Sequence, residues 1–183
     1  ERLRLFRNHG IAGDSRARQA EGAWAYEMVA LGYNYRLTDI GCALGLSQLR
    51  RFPATLAHRR TIAQRYADAL EGLPGLHLPG EAPQVQSSWH LYAVRLDLER
   101  LKAGRAEIFR ALRAENIGVN VHFIPVHLHP YYRQRFGFGP GAYPVAEDAY
   151  ERLLTLPLFH GMTDRDIDDV VAAVRKVLGH FAR

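Results

Sequence analysis

The first residues with potential for chemistry lie in the run Gly32–Asp39. Asn34, Tyr35 and Arg36 come directly before a predicted helix start at Thr38. The free N–H groups and the dipole of a helix N-terminus favour an anion, and a guanidinium donates bidentately to phosphate. The run could therefore bind a phosphate. A turn asparagine and a salt-bridging arginine are the structural alternative for the same residues.

A second cluster lies at residues 120–132, where three histidines and two tyrosines occur close together. His122 and His127 could act as acid or base, because histidine titrates near neutral pH. His127 and His129 could offer two metal ligands, but no nearby acidic residue or cysteine completes a set, so we expect no metal. Packing and hydrogen bonding are the ordinary alternative for all three histidines.

Other motifs add little. The run Arg7-Asn8-His9-Gly10 is too short to indicate a function by itself. The sequence has no G-x-x-x-x-G-K, G-x-G-x-x-G or G-x-S-x-G motif, so nucleotide hydrolysis, dinucleotide binding and hydrolase chemistry lack a local signature. Cys42, the single cysteine, lies among small and apolar residues and is expected to pack.

The elements that must position these clusters begin with helices. Thr38-Asp39 predicts the start of a long helix, and residues 16–37 before it are expected to be loop-like. Pro53 predicts a new helix start, and this second helix should end at Gly72.

A strand, helix, strand order is predicted next, over residues 89–96, 105–116 and 117–124. Residues 125–144 are rich in His, Tyr, Phe, Gly and Pro. They are expected to form an irregular functional loop, because they are too aromatic for a passive linker.

The C-terminal part is predicted from clearer signals. A short helix over 146–154 should lead into a short edge strand over 155–158, since proline cannot donate to a strand ladder. Thr163 and Asp166 form a box-like T-x-x-D at the start of the last helix, which keeps one apolar face.

The composition excludes some classes of protein. The chain has 183 residues and a net charge of +5, and 22 of its 24 basic residues are arginines. No apolar run approaches the roughly 20 residues that cross a bilayer, and the first residues lack the order of a signal peptide. We therefore expect a cytoplasmic protein without a membrane partner.

The pattern predicts an α+β fold. Residues 1–50 are expected to be the C-terminal remnant of one domain with a connecting helix, and residues 51–183 a small α+β domain. Because the apolar periodicity of Leu3, Leu5 and Phe6 already runs at the start, we expect the sequence to be part of a longer chain.

Taken in order, three segments resemble fold type I sugar aminotransferases of the DegT and StrS-like group. The segments are Arg2–Ile11, Leu31–Ile40, which is similar to the G-x-N-x-R-x-T/S-D/E motif, and Val121–Tyr132, which is similar to the H-Y-x-P-x-H loop. The resemblance covers essentially the entire chain. Phe123 and His129 depart from the pattern, in which tyrosine and glutamine are expected.

The resemblance implies a homodimer with shared active sites that uses pyridoxal 5'-phosphate (PLP). Such an enzyme moves an amino group from glutamate to the 4-keto carbon of a UDP-linked deoxy sugar, here of the pseudaminic acid type. The Schiff-base lysine would lie upstream of Glu1, since neither Lys102 nor Lys176 fits that role. We therefore expect this chain alone to be inactive.

By the same resemblance, Asn34 would bind the PLP phosphate of the partner subunit with Arg36 nearby. His122, His127 and Tyr35 would be substrate-binding residues in the sugar pocket. A non-catalytic paralogue that acts as a sensor or assembly module is the alternative. A basic module that binds single-stranded nucleic acid is a further alternative, but no recognised motif supports it, and we expect no nucleic-acid partner.

Overall fold

The computed structural model of the chain describes residues 1–13 and 15–183. The chain divides into two compact units, Glu1–Phe52 and Pro53–Arg183, which we call unit 1 and unit 2. Helices and a small antiparallel sheet make up the chain, so the predicted α+β class is confirmed. The expected assignment of residues 1–50 to the C-terminal remnant of another domain stays a prediction.

Unit 1 contains short helices followed by the start of a long one. Helices α1 (Arg2–Arg7) and α2 (Ser15–Ala20) are brief, and α2 occupies part of the region that was predicted to be loop-like. The long helix α3 begins at Asp39. The hydroxyl Oγ1 of Thr38 accepts a hydrogen bond from the backbone N–H of Gly41 at 3.1 Å, so Thr38 caps this helix as its position predicts.

Helix α3 runs without interruption over Asp39–Leu70, so the predicted break at Pro53 is wrong. Proline inside a helix removes one hydrogen bond and costs about 3 kcal/mol. The second half of α3 buries Ile62, Tyr66 and Leu70 in the core, and these tertiary contacts offset that cost. Cys42 lies in the first half and is exposed, so its expected packing is not found.

A three-stranded antiparallel sheet forms the centre of unit 2, in the order β1-β2-β3. Its register pairs Leu76 with Leu96 and Val94 with Leu154. The strands are β1 (Leu76–His77), β2 (Tyr92–Leu96) and β3 (Leu153–Leu156). The predicted strand over 155–158 therefore exists at the sheet edge, shifted towards the N-terminus.

Four further helices and two 3-10 turns complete unit 2. The predicted helices over 105–116 and 146–154 are found with slightly different bounds. The helices are α4 (Arg105–Ala114), α5 (Pro130–Phe136), α6 (Pro144–Arg152) and α7 (Asp164–Phe181), and the turns are Leu98–Arg100 and Val126–Leu128.

Helix α5 was not predicted, because residues 125–144 were expected to be irregular. The helix starts with Pro130, whose fixed φ suits the first helical position. It ends at Gly137, which adopts φ 71° as a left-handed C-cap. The two signals were present in the sequence but only seven residues apart, which made the helix easy to miss.

The predicted strand over 117–124 is wrong. Its alternation reflects burial, since Ile117 and Val119 are buried, but the segment forms a single bridge, between Asn120 and Thr155. The N–H of Val119 donates to the carbonyl of Ile117 at 2.9 Å. This three-residue turn takes residues 117–119 out of an extended strand, and beyond Asn120 the N–H of Val121 donates to Asn120 Oδ1 instead of to β3.

The core of unit 2 lies between the sheet and helices α3, α4 and α7. An apolar face of α7 packs on it, as its spacing predicts. Each large aliphatic side chain buried there contributes roughly 1.5–3 kcal/mol. The largest fully buried side chains are Tyr66, Tyr92, Ile62, Leu70, Leu96, Leu101, Ile108, Leu112, Leu154, Leu156, Ile167 and Leu178.

Helix α7 begins with the predicted capping box. The N–H of Asp166 donates to Thr163 Oγ1 at 3.2 Å, and the N–H of Thr163 donates to Asp166 Oδ2 at 2.7 Å. The bond from the Thr163 N–H, followed by one that the Thr163 hydroxyl donates to the same Asp166 Oδ2 at 2.7 Å, lowers the pKa of the Asp166 carboxyl. None of the helices within residues 1–13 and 15–183 has the length and apolar character needed to cross a bilayer.

Candidate functional site

In unit 1, backbone pairing brings the Arg7-Asn8-His9-Gly10 run beside the run around Asn34. The N–H of His9 donates to the carbonyl of Tyr33 at 3.0 Å, and the N–H of Tyr35 donates to the carbonyl of Arg7 at 2.9 Å. Asn8 and Asn34 face each other in an antiparallel bridge. Two clusters separated in sequence therefore form one surface.

Two glycines permit this close approach. Gly10 has φ +68°, and a Cβ there would lie 1.7 Å from the carbonyl oxygen of Ala30. A Cβ on Gly32 would lie 2.1 Å from the backbone nitrogen of Gly10. Real side chains cannot approach backbone atoms this closely, so the surface requires glycine at both positions.

This pairing creates a groove of about 610 Å³ that is rich in hydrogen-bond donors. Arg36 is exposed, and its Nε donates to Asn34 Oδ1 at 3.4 Å. This leaves the amide N–H groups of Asn34 and the terminal N–H groups of Arg36 as donors for a ligand. The polar side chains that line the groove are those of Glu1, Arg4, Arg7, Asn8 and Arg36, whereas Asn34 lies next to the lining through its pairing with Asn8.

The donor set fits a phosphate group such as that of PLP. The guanidinium forks and the amide of Asn8 match phosphate oxygens, and the three arginines outweigh the single carboxylate of Glu1. Arg36 was expected from the sequence, whereas Arg4 was not singled out. The signal for Arg4 was available only as the general excess of arginine, because its place in the groove depends on nonlocal backbone pairing.

Tyr35 points its ring into an aromatic cluster on the same surface. It stacks on Tyr33 with ring centroids 5.3 Å apart, and Phe6 lies 5.9 Å from it at an edge-on angle. The Tyr35 side chain is nevertheless 64% exposed, so its ring and hydroxyl are accessible to a ligand. The structure thus places Tyr35 beside Asn34 and Arg36 in unit 1.

In unit 2, His122 is held in one orientation by hydrogen bonds on both ring nitrogens. Asn120 Oδ1 accepts from the N–H of Val121 at 2.8 Å, which turns the Asn120 amide N–H₂ towards His122 Nε2 at 3.4 Å. A neutral His122 therefore carries its proton on Nδ1, which donates to Thr155 Oγ1 at 2.9 Å. The ring is partly exposed and positioned by the edge of the sheet.

His127 has a different environment, because it is buried with 7% exposure. Its Nε2 lies 2.9 Å from Glu147 Oε1. The carboxylate of Glu147 also accepts from the N–H groups of Gly141 and Tyr143. The bond from Gly141, followed by that from His127, lowers the pKa of Glu147. We call these four residues the Glu147 latch.

The Glu147 latch was not anticipated from the sequence. Glu147 lies 20 positions from His127, in a helix that shows no local link to the histidine cluster. A carboxylate in the first turn of a helix that follows a Gly-rich loop was the only available signal. The latch holds both ends of the aromatic segment 127–143, so His127 positions that segment.

The two positions that depart from the family pattern are both exposed. Phe123 is 72% exposed, with its ring centroid 4.5 Å from that of His122. His129 is exposed, whereas His127 is buried, so the two side chains do not share a ligand position. Among residues 1–13 and 15–183, no group of three His, Cys, Asp or Glu side chains could hold a metal ion.

Residues 1–175 match the DegT/DnrJ/EryC1/StrS aminotransferase family. SpsC of Bacillus subtilis, a spore coat polysaccharide biosynthesis protein, is 39% identical over 97% of this chain and 46% of its own length. The chain spans about half the length of the curated relatives it matches.

Two solved structures share the fold. The structure of Spr1654 of Streptococcus pneumoniae in its PMP-form is 32% identical, with a TM-score of 0.79 over 97% of this chain and 44% of that chain. PseC of Helicobacter pylori, an aminotransferase in pseudaminic acid biosynthesis, is 26% identical, with a TM-score of 0.78 over 98% of this chain and 46% of that chain.

Proposed function

This chain belongs to the DegT/DnrJ/EryC1/StrS aminotransferase family, and we propose that it is the C-terminal part of a PLP-dependent nucleotide-sugar aminotransferase. The complete protein would move an amino group from glutamate to the 4-keto carbon of a UDP-linked deoxy sugar. The observation that carries the proposal is the arginine-rich groove beside Asn34, because its donors match a phosphate.

In this proposal Asn34 and Arg36 bind the phosphate of PLP in the active site of the partner subunit. Asn34 donates through its amide, and Arg36 adds charge and further N–H donors. Bound PLP supplies the electron sink that amino-group transfer requires. The exposure of both side chains supports a role towards a second subunit rather than towards the interior of unit 1.

His122, His127 and Tyr35 are proposed to contribute to sugar binding, His122 and Tyr35 by direct contact and the buried His127 by positioning a neighbouring segment. His122 presents a partly exposed ring whose orientation is fixed by Asn120 and Thr155, so it can hold a sugar hydroxyl in one position. His127 is buried and acts through the aromatic segment that the Glu147 latch holds. Tyr35 offers an exposed ring and hydroxyl beside the phosphate groove.

The lysine that binds PLP covalently is proposed to lie outside these 183 residues. Lys176 is engaged in an ion pair, with its Nζ 2.8 Å from both carboxylate oxygens of Glu115. Lys102 is exposed in a turn before α4. Neither position resembles the desolvated, anchored environment of a catalytic lysine. We therefore propose that this chain by itself does not transaminate.

A sugar of the pseudaminic acid type is the proposed substrate. The similarity to PseC supports this choice, and the role of SpsC in spore coat polysaccharide biosynthesis supports a sugar substrate in general. The nucleotide part would place its phosphates near basic residues, and the arginine excess of this chain is consistent with that need.

The proposal is tested with the complete protein by recording its visible absorption with PLP, before and after borohydride reduction. We expect a PLP band that reduction fixes covalently to a lysine outside residues 1–183. Asn34→Ala should weaken PLP binding by roughly tenfold or more, because it removes a hydrogen bond to a charged group. Arg110→Ala, on the exposed side of α4, is the matched control and should leave binding unchanged.

Two other results would contradict the proposal, one of them entirely and the other at Asn34 alone. A complete protein that takes up no PLP would overturn the proposal and favour a non-catalytic paralogue that acts as a sensor or assembly module. Unchanged PLP affinity in Asn34→Ala would remove Asn34 from the phosphate site while leaving the family membership intact.

A further inference from the structure

Asn120 and His122 hold two hydrogen-bonding groups side by side in unit 2, where the chain meets strand β3. The amide nitrogen of Asn120 lies 3.4 Å from Nε2 of His122. This separation is longer than the limit of roughly 3.2 Å for a well-formed hydrogen bond, so the two groups satisfy each other only weakly. In the described part of the chain neither atom has a second hydrogen-bond partner. Asn120 is exposed and His122 is half-buried, so a ligand can approach from the Asn120 side.

The side chain of Asn120 presents its amide nitrogen to His122, because its oxygen is already engaged. Asn120 Oδ1 accepts from the N–H of Val121 at 2.8 Å. The backbone is held as well, since the N–H of Asn120 donates to the carbonyl of Thr155 at 3.1 Å and the N–H of Thr155 donates to the carbonyl of Asn120 at 2.8 Å. Asn120 therefore offers a hydrogen-bond donor at a position that the sheet determines.

Thr155 holds the other side of the His122 ring. It is 5% exposed, and its Oγ1 lies 2.9 Å from His122 Nδ1. A hydroxyl can accept or donate, so Thr155 by itself suits both neutral forms of the ring. The Asn120 donor that faces Nε2 favours the form with its proton on Nδ1, which donates to Thr155. Nε2 of His122 is therefore a hydrogen-bond acceptor.

A donor and an acceptor in this arrangement match a hydroxyl group. One hydroxyl oxygen can lie about 2.8 Å from both atoms, since they are only 3.4 Å apart. The oxygen accepts from the Asn120 amide, while its proton is donated to His122 Nε2. A carbonyl, ether or carboxylate oxygen can use only the amide, and an ammonium group can use only the imidazole. The pair thus selects a hydroxyl through both of its hydrogen-bonding functions.

We propose that Asn120 is a specificity-determining residue, which together with His122 binds one hydroxyl of the sugar substrate. Thr155 is the positioning residue that keeps Nε2 of His122 free of a proton. The inference rests on the proposed function, which assigns a sugar to His122. The 4-keto oxygen cannot donate, so the pair does not bind the reacting carbonyl. In a UDP-linked 4-keto-6-deoxy-N-acetylhexosamine the only free hydroxyl on the sugar ring is at C3, and this is the group that the pair recognises.

The kinetic test uses the complete protein with this UDP sugar and glutamate. Asn120→Ala removes the donor and should raise the KM for the UDP sugar roughly tenfold, the effect of one hydrogen bond. The kcat and the KM for glutamate should change by less than about twofold, because the lost contact is made equally in the ground state and the transition state. Gln84→Ala removes an exposed amide from the loop before β2, and as the matched control it should leave both KM values unchanged.

A 3-deoxy analogue of the UDP sugar identifies the hydroxyl that is bound. With the wild type, its KM should exceed that of the UDP sugar by roughly tenfold or more. With Asn120→Ala the same analogue should cost about threefold or less, since only the bond to His122 remains to be lost. This difference is the coupling that a double-mutant cycle measures, and equal costs in both proteins would overturn the proposal.

The role of Thr155 has a spectroscopic readout that a purely structural role would not produce. In the complete protein with ¹⁵N-labelled histidine, the signals that His122→Ala removes belong to His122, and they should show a proton on Nδ1 and none on Nε2. Thr155→Val removes the hydroxyl, so part of the proton should move to Nε2 and the KM for the UDP sugar should rise about fivefold. Thr155→Ser keeps the hydroxyl and should retain the wild-type signals and KM.

Three further outcomes contradict the inference while the wild type still transaminates, and they leave the proposed function intact. They are a proton on Nε2 of His122 in the wild type, a wild-type KM for the UDP sugar in Asn120→Ala, and a Thr155→Ser variant that behaves like Thr155→Val. A complete wild-type protein that does not transaminate contradicts the proposed function, and this inference with it.

Discussion

Units 1 and 2 differ most in the environment of their apolar side chains. In unit 2, Ile62, Tyr66 and Ile108 are completely buried, at 0% exposure. Among the described residues of unit 1, no large apolar side chain is buried, and Trp24 and Ile40 are 89% and 84% exposed. Unit 2 therefore contains its own core, whereas unit 1 is held by backbone pairs and surface contacts.

This difference indicates that unit 1 is built to contact another surface. Exposed apolar patches of this kind are typical of interfaces rather than of isolated domains. The proposed homodimer with shared active sites would provide such a surface, and the proposed phosphate groove lies in the same unit. Three experiments test this difference between the two units, and the third has a defined pH dependence.

The largest effect is expected from separating the two units. Residues 53–183, expressed alone, should show one cooperative thermal transition by circular dichroism, because the core lies within them. Residues 1–52 alone should show no cooperative transition. A cooperative transition in residues 1–52, or its absence in residues 53–183, would contradict the difference described here.

A smaller effect is expected from one matched pair of substitutions in the 183-residue chain. Ile108→Ala removes a fully buried side chain and should lower the free energy of unfolding in urea by about 2–5 kcal/mol. Leu44→Ala removes a side chain that is 61% exposed in unit 1 and should change it by less than about 0.5 kcal/mol. Equal effects would show that unit 1 contributes to the same core.

The smallest effect is expected from weakening the Glu147 latch of unit 2, with a backbone hydrogen bond of unit 1 as the control. Glu147→Gln should speed amide hydrogen exchange at Gly141 and Tyr143 at neutral pH, since it weakens the Glu147 latch. The amide of Tyr33, which donates to the carbonyl of Phe6 in unit 1, should not change and serves as the control.

The stabilisation that the Glu147 latch provides depends on pH in a direction that the lowered pKa of Glu147 determines. The pKa of Glu147 is lowered in the folded chain, so the latch is at full strength above the ordinary glutamate pKa of about 4.3. The stabilisation is lost as the pH falls through the lowered folded value. The exchange rates of Gly141 and Tyr143 in the wild type and in Glu147→Gln should therefore become equal in acid. A constant difference between the two proteins down to low pH would argue against an ionised Glu147 in the latch.

Some expectations failed where distant contacts override local signals. Pro53 predicts a helix break by its own chemistry, yet the buried side chains beyond it keep α3 continuous. Residues 117–124 have the alternation of a strand, yet the chain meets β3 at one residue only, Asn120. In both places the local pattern is present, but the structure is decided by contacts with distant residues, which local spacing does not identify.

The candidate site shows the same division. Asn34, Tyr35 and Arg36 could be selected from the sequence, because donors and aromatic rings before a helix start suggest an anion site. Their connection to Arg4 and Arg7 could not be selected, since it depends on hydrogen bonds between segments about 25 residues apart. His127 could also be selected from the sequence, but its burial against Glu147 could not be predicted.

The sequence by itself determined the features that short-range physics controls. The Thr163–Asp166 capping box, the apolar face of α7 and the helix start at Thr38 each depend on residues within a few positions of one another. Only the tertiary structure decided the continuity of α3, the close approach of Gly10 and Gly32, and the burial of His127 against Glu147. These features depend on which distant groups fill or leave the space around a residue, and local spacing does not encode that.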